Sequence, residues 1–414
     1  MSKWTFDEKT KVLDNGLKII TISRDTMLAS INIGVKIGAL YENNKQKGIC
    51  HFIEHMMFKG TKSKSNEELN SKLEALGGEY NAYTDYTSTV YSINCLEEEI
   101  ENATNLLSDM LLNSTIEEKE LDKERGVILA EIRTRKDDVE DVSFDRTNEI
   151  AFKKSPLRCD VLGTTKTVSS FNSNDLKDFY KKYYTPDNTT IVMVSSLSHK
   201  EMQKMIIKNF CNWIGSVEEK IDVLKEKNIA IEKTTYKNNI EQSTITYLFS
   251  FMDVKKEHEM PLRILNHKLG ESANSILFRE LRENRGLAYD VYSNMDLSKN
   301  MNIMNIFTAV GEESIEESKE VINKCIEDIK DSKIIFDEKM LSIMKKIHKT
   351  GVISTLEDSS ELCNYALIQS LEGESLDELV TSMELLEKIK PEDLYEVANK
   401  YLNNPTIHIL KSKR

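Results

Sequence analysis

The chain has 414 residues, 30% of them charged and 39% hydrophobic, with a formal net charge of −13. That length exceeds one ordinary core, so about two domains of about 200 residues are expected, and the composition excludes a disordered or fibrous chain. The excess of acid opposes phosphate backbones, so no nucleic-acid partner is expected, and no stretch approaches the roughly 18 apolar residues that would span a membrane.

In chain order, residues 1–8 carry neither an apolar h-region nor a small-residue cleavage site, so a cytoplasmic location is expected. Residues 10–20 place Asn15-Gly16 between two strand-like runs, a hairpin signal. Residues 30–36 alternate apolar and polar as a half-buried strand does. Residues 48–58 are apolar nearly all round, which marks a buried helix, yet they contain His51-Phe52-Ile53-Glu54-His55. Two histidines four apart on a helix point the same way, because four steps of about 100° overshoot one turn by only about 40°. Glu54 lies on the adjoining arc. Burying two imidazoles and a carboxylate without partners is costly, and a metal ion resolves that cost. Cys50 points about 100° away from His51 and is read as a buried thiol. The six cysteines form no C-x-x-C pair and read as mostly reduced. H-x-x-E-H is the inverted zinc-peptidase, or inverzincin, motif: two imidazoles and a carboxylate can hold Zn²⁺ while a neighbouring glutamate takes a proton from water.

Residues 66–76 then read as a helix ending at Gly77-Gly78, and 80–94 as a strand pair. Residues 97–113 and 117–136 read as helices. In the second of these Glu124 and Glu131 are seven apart and share a face with Ile128, flanked by Val127 and Ile132. Glu117, Glu118 and Glu120 read as a solvated first turn. Glu131, next to the apolar run 127–130, reads as the third ligand, and Glu124 as a residue that orients a histidine. Residues 175–184 read as a helix, and 190–195 as a strand that closes a sheet. Residues 217–233 are charged and lack core periodicity, which places a linker over 217–236 between domains at 1–216 and 237–414. The second half repeats the logic: strand 243–251, helices 260–270 and 275–284, strand 301–310, helix 312–331. The recurring order points to internal duplication and to an α+β chain of two similar sandwich domains, each a mixed sheet with helices. Only the first half carries the motif; the second has Glu259-Met260-Pro261-Leu262 at the corresponding place.

The segments HFIEHMMFKGT, LEALGGEYNAYTDYTSTVYS and ERGVILAEIRTR resemble the pitrilysin and insulinase family of zinc peptidases, and the order is the family's. SPLRCDVLGTTKTVSSFNSNDLKDFYKKYYTPDN and LFRELRENRGLAYDVYS extend the resemblance over most of the chain. Within the family the chain is most similar to the half-length branch that includes the mitochondrial processing peptidase β subunit. The resemblance implies one Zn²⁺ per chain on His51, His55 and Glu131, with Glu54 as general base and Glu124 as supporting acid. It implies that Arg282 and Tyr289 grip peptide carbonyls and stabilise the oxyanion, and that Asn81 and Ala82 lie on an edge strand that takes extended substrate. The activity implied is that of a metalloendopeptidase acting on unfolded peptides inside a chamber enclosed by two chains. Because one chain carries both residue sets, which must then face each other, a homodimer suffices. Two other readings are a dedicated maturation or leader peptidase for a ribosomally made peptide, and a non-catalytic subunit of a complex. The chain departs from the family at 269–275, which has one glycine where relatives often have a glycine-rich loop, and at Ser195-Ser196, where a glycine is common.

Overall fold

The computed structural model describes residues 6–218 and 221–413. Positions 1–5 of the segment read above for a targeting signal, and Glu219 and Lys220 of the expected linker, lie outside the described residues. The chain forms two compact units, each discontinuous in sequence. The first comprises Met1–Arg133, Cys159–Val223 and Ile353–Val380, and the second Thr134–Arg158, Leu224–Val352 and Thr381–Arg414.

The first unit is built on six strands: β1 (Asp7–Val12), β2 (Lys18–Ser23), β3 (Leu28–Val35), β4 (Glu79–Thr84), β5 (Thr89–Leu96) and β6 (Thr189–Ser195). Their spatial order is β1-β2-β6-β3-β5-β4, with β2 and β6 parallel and the other pairs antiparallel. The 190–195 strand therefore sits inside the sheet and does not end it. Gly16 takes φ +91° in the β1–β2 turn, where a Cβ would come within 2.9 Å of Asp187 Cβ, so the Asn-Gly turn has a steric reason. One face of the sheet carries the main core, with the helices Ile49–Met57, Ile100–Asn113 and His199–Phe210.

The alternation in β3 suggests a half-buried strand, but β3 is buried on both faces from Ala29 to Val35. The cause is the helix Ser359–Glu372, whose Leu362, Ala366, Leu367 and Leu371 pack on Ile20, Ile22, Val90, Val192 and Val194. Gly34 makes room for it: a Cβ there would lie 2.8 Å from a Leu371 methyl.

The second unit has five strands, β7 (Ile231–Lys237), β8 (Ser243–Ser250), β9 (Ala288–Leu297), β10 (Asn302–Val310) and β11 (Thr406–Ser412), in the order β7-β11-β8-β10-β9. Only β7 and β11 run parallel. With β1 set aside, the two sheets match strand for strand in order and direction, as a duplication requires. The helix Val139–Ala151 lies on β8 and β11 just as Ser359–Glu372 lies on β3 and β6. Each unit thus takes one sheet-covering helix from the other half of the sequence, so the units differ from the contiguous halves expected. β7 begins inside the stretch expected to be linker, because its charged side chains stand on an outer strand where one edge faces no neighbour. The helix expected at 260–270 begins earlier, at Lys256, and continues beyond Asn266 as a π-helix over His267–Glu271; 278–283 is likewise π-helical.

Candidate active site

The helix Ile49–Met57 starts at Gly48, where φ is +90° and a Cβ would lie 2.5 Å from the Leu162 carbonyl oxygen, which leaves no space for a side chain. Glu42 meets its free amides: the Gly48 and Cys50 N–H groups donate to its two carboxylate oxygens at 2.9 Å each. Burial pushes the Glu42 carboxyl up to about 7 although those two hydrogen bonds pull it down. Ile49, Cys50, Phe52, Ile53, Met56 and Met57 are all buried, so the helix is clamped in the core.

His51 and His55 bring their Nε2 atoms to 3.2 Å of each other. Glu131 Oε2 stands 3.8 Å from His51 Nε2 and 3.7 Å from His55 Nε2. That oxygen is buried and has no hydrogen-bond partner among the described residues. Donor atoms of the three residues lie within 4.8 Å of one another. Two imidazole nitrogens and an orphaned carboxylate oxygen converging on one point are a donor set that fits a divalent cation. His55 Nδ1 bonds Glu124 Oε2 at 3.0 Å, and Lys59 Nζ bonds Glu124 Oε1 at 2.6 Å. This chain orients the imidazole and leaves Nε2 facing the cluster.

The electrostatics divide the residues. Burial, with help from the neighbouring His55, holds His51 down to about 3, so it is neutral and able to ligate. Burial also opposes charge on His55, but the Glu124 hydrogen bond and the carboxylates of Glu131 and Glu54 outweigh it and its pKa is raised. Burial raises Glu54 as well, against the Thr84 hydroxyl that donates to its Oε2 at 2.7 Å. For Glu124 the bonds from His55 and Lys59 overcome burial and lower its pKa.

On the helix Glu118–Asp137, Leu121, Glu124, Ile128 and Ile132 are buried, but Val127 is 45% exposed and faces away from them. Glu118 is more than a solvated residue: it accepts the Ser173 N–H at 2.7 Å and so satisfies an amide in the first turn of the helix Ser173–Tyr183. Asn81 and Ala82 lie on β4, the outer strand beside the helix Ile49–Met57, with the Asn81 Oδ1 accepting the Ala82 N–H at 2.9 Å. In the second unit, Arg282 lies in the π-helix Phe278–Glu283 and Tyr289 on β9. The guanidinium stacks 5.5 Å from the Tyr289 ring centre and 5.0 Å from that of Phe278. Tyr289 is 72% exposed. Glu42 and Lys59 were not expected beside these residues, nor was the bond from Thr84 to Glu54. Lys59 follows His55 by four, a helical spacing that could have pointed to it; Glu42 and Thr84 come from loop and sheet and carry no local signal.

Residues 18–165 match the family model described as insulinase (peptidase family M16), and 170–347 that of the peptidase M16 inactive domain. The uncharacterised zinc protease YmxG of Bacillus subtilis is 32% identical over 382 residues, 91% of each chain. The β subunit of the mitochondrial-processing peptidase of Bos taurus is 33% identical over 220 residues, 53% of this chain and 44% of that one. A protease from Helicobacter pylori shares the fold with a TM-score of 0.91 at 22% identity, over 98% of this chain and 99% of its own. No helix among the described residues is long and apolar enough to cross a membrane. A relative alike along nine-tenths of both sequences, and two M16 models matched in order, make this chain a member of the insulinase-type peptidase family M16.

Proposed function

We propose that this chain is a zinc-dependent endopeptidase that hydrolyses peptide bonds in unfolded peptides or short polypeptides. The observation that carries the reading is the convergence of His51, His55 and Glu131 on one point, beside the buried carboxyl of Glu54. Zinc held by these three residues, one ion per chain, would supply a Lewis acid that acidifies water and polarises the scissile carbonyl. Glu54 takes the proton from the attacking water and passes it to the leaving amine. Glu124, braced by Lys59, fixes the His55 ring. Asn81 and Ala82 offer the edge of β4 to an extended substrate, which would pair with it as a further strand. Arg282 holds substrate carbonyls, and the Tyr289 hydroxyl donates to the oxyanion; their stacking and the exposure of Tyr289 support that role. In sequence, we assign the catalytic half to 1–216 and its duplicate to 237–414, joined through 217–236, with each half giving one covering helix to the other's sheet. Two copies form a homodimer around a chamber that folded proteins do not enter, in the cytoplasm.

The test is cleavage of a mixed peptide library, read by mass spectrometry. Wild type should cut, while Glu54→Gln should keep its zinc and lose turnover by about 10²–10⁴-fold. Glu131→Gln should lose zinc, read by metal analysis after dialysis. Equal cleavage by Glu54→Gln, or full zinc in Glu131→Gln, would overturn the assignment.

A further inference from the structure

On the first unit, away from the residues discussed so far, a groove of about 480 Å³ opens between β1 and the helix His199–Phe210. Lys9 and Lys11 reach it from one face of β1, since alternate residues of a strand share a face. Lys200, Lys204 and Lys208 reach it from the helix, four apart on one stripe. Lys208 pairs with Glu101 at 3.0 Å. Lys9, Lys11, Lys200 and Lys204 make no ion pair with any described carboxylate. The buried His199 holds the two walls together, through Thr21 Oγ1 at 2.8 Å and Asp7 Oδ1 at 3.0 Å. In a chain with 69 acidic and 56 basic residues, four unpaired cations around one concavity form an island of opposite sign to the whole. They repel one another until an anion enters.

We infer that this groove is a docking site for an extended polypeptide segment with acidic residues at alternate positions. β1 is the outer strand of its sheet, so alternate backbone N–H and C=O groups on its free edge are open to pairing. Lys9 and Lys11 stand two residues apart, about 7 Å, the repeat at which side chains of an added strand share a face. The Ile207 side chain and the lysine stems supply apolar floor for such a segment. Nucleic acid fits less well: no Phe, Tyr or Trp lines the groove for base stacking, the imidazole of His199 is buried, and the net charge of −13 repels phosphates at long range. The helix His199–Phe210 packs on β2 and on the helix Ile100–Asn113, whereas the helix Ile49–Met57 packs on β4 and β5. An occupied groove therefore leaves His51 and His55 uncovered, and the docking site stands whether or not the chain is a peptidase.

The experiment is fluorescence anisotropy with the full chain and a labelled peptide of alternating Glu and Thr, at low and at physiological ionic strength. Lys200→Glu/Lys204→Glu should weaken binding about tenfold or more, and Lys9→Gln/Lys11→Gln should weaken it too. Lys324→Glu/Lys339→Glu, an equal charge change on exposed positions of the second unit, should leave binding unchanged. Circular dichroism melts check that each variant is folded. Absence of saturable binding, equal loss in the second-unit control, or tighter binding of labelled oligothymidylate or anionic vesicles than of the peptide would each overturn the proposal.

Discussion

Glu42 shows how one buried acid ties the helix Ile49–Met57 to the solution. Its carboxyl titrates at about 7 in the folded chain against an ordinary 4.5, because burial disfavours its charge. Between those two values the folded chain keeps a proton that the unfolded chain has released. The stability this acid contributes is therefore full below about pH 4.5 and is lost as pH rises through 7, by on the order of 3 kcal/mol. A glutamine at this position does not titrate. The unfolding free energy of wild type, minus that of Glu42→Gln, should fall by that order between about pH 5 and pH 8, measured by urea denaturation. A difference that stays flat would show that the carboxyl does not titrate in that window. Of the residues around the two histidines, His51, Glu54, His55 and Glu131 were legible in the sequence because helical periodicity is local: polar groups on an apolar helix stand out, and Glu131 borders the apolar run 127–130. Thr84 is 30 positions from Glu54, and their bond depends on β4 folding back beside the helix, which no short-range pattern encodes.

Among the elements, β3 shows where pattern reading meets its limit. Ser30 and Asn32 supply the polar half of an alternation that reads as a solvent face. In the fold both are buried, with the Ser30 hydroxyl bonded to Asn94 Oδ1 at 2.9 Å. What covers that face is a helix over 300 residues downstream, so nothing near β3 announces it. Leu367 of that helix is fully buried against Gly34 and the strands around it. Leu367→Ala should therefore cost the first unit about 2–5 kcal/mol. The readout is the urea midpoint followed by Trp213 emission in a Trp4→Phe background, since Trp213 lies in the core on the other face of the same sheet. A midpoint unchanged by the substitution would mean the helix does not brace the sheet. The π-helical winding at His267–Glu271 and Phe278–Glu283 was also illegible: apolar spacing marks a helix there, but the extra residue per turn leaves no mark in so short a run.

At the scale of the molecule, the duplication was readable because the order of elements repeats, and the sheets bear it out in strand order and direction. The exchange of Val139–Ala151 and Ser359–Glu372 between the halves of the sequence was not, since it depends on which sheet a helix meets. The exchange predicts that residues 1–216 expressed alone will not form a stable unit. Ile20, Ile22, Val192 and Val194 would face water, and the fragment should aggregate or bind a hydrophobic dye until a peptide of residues 353–380 is added. A soluble fragment with native-like circular dichroism and no dye binding would contradict this. The same exchange sets a timetable during synthesis. The last strand of the first sheet leaves the ribosome roughly 180 residues before the helix that covers it, and at about 5–20 residues per second that interval is about 10–35 s. Through that interval the nascent chain displays an apolar sheet face, which makes it a natural client for chaperones that bind such faces and ties the yield of the first unit to the speed at which the second is translated.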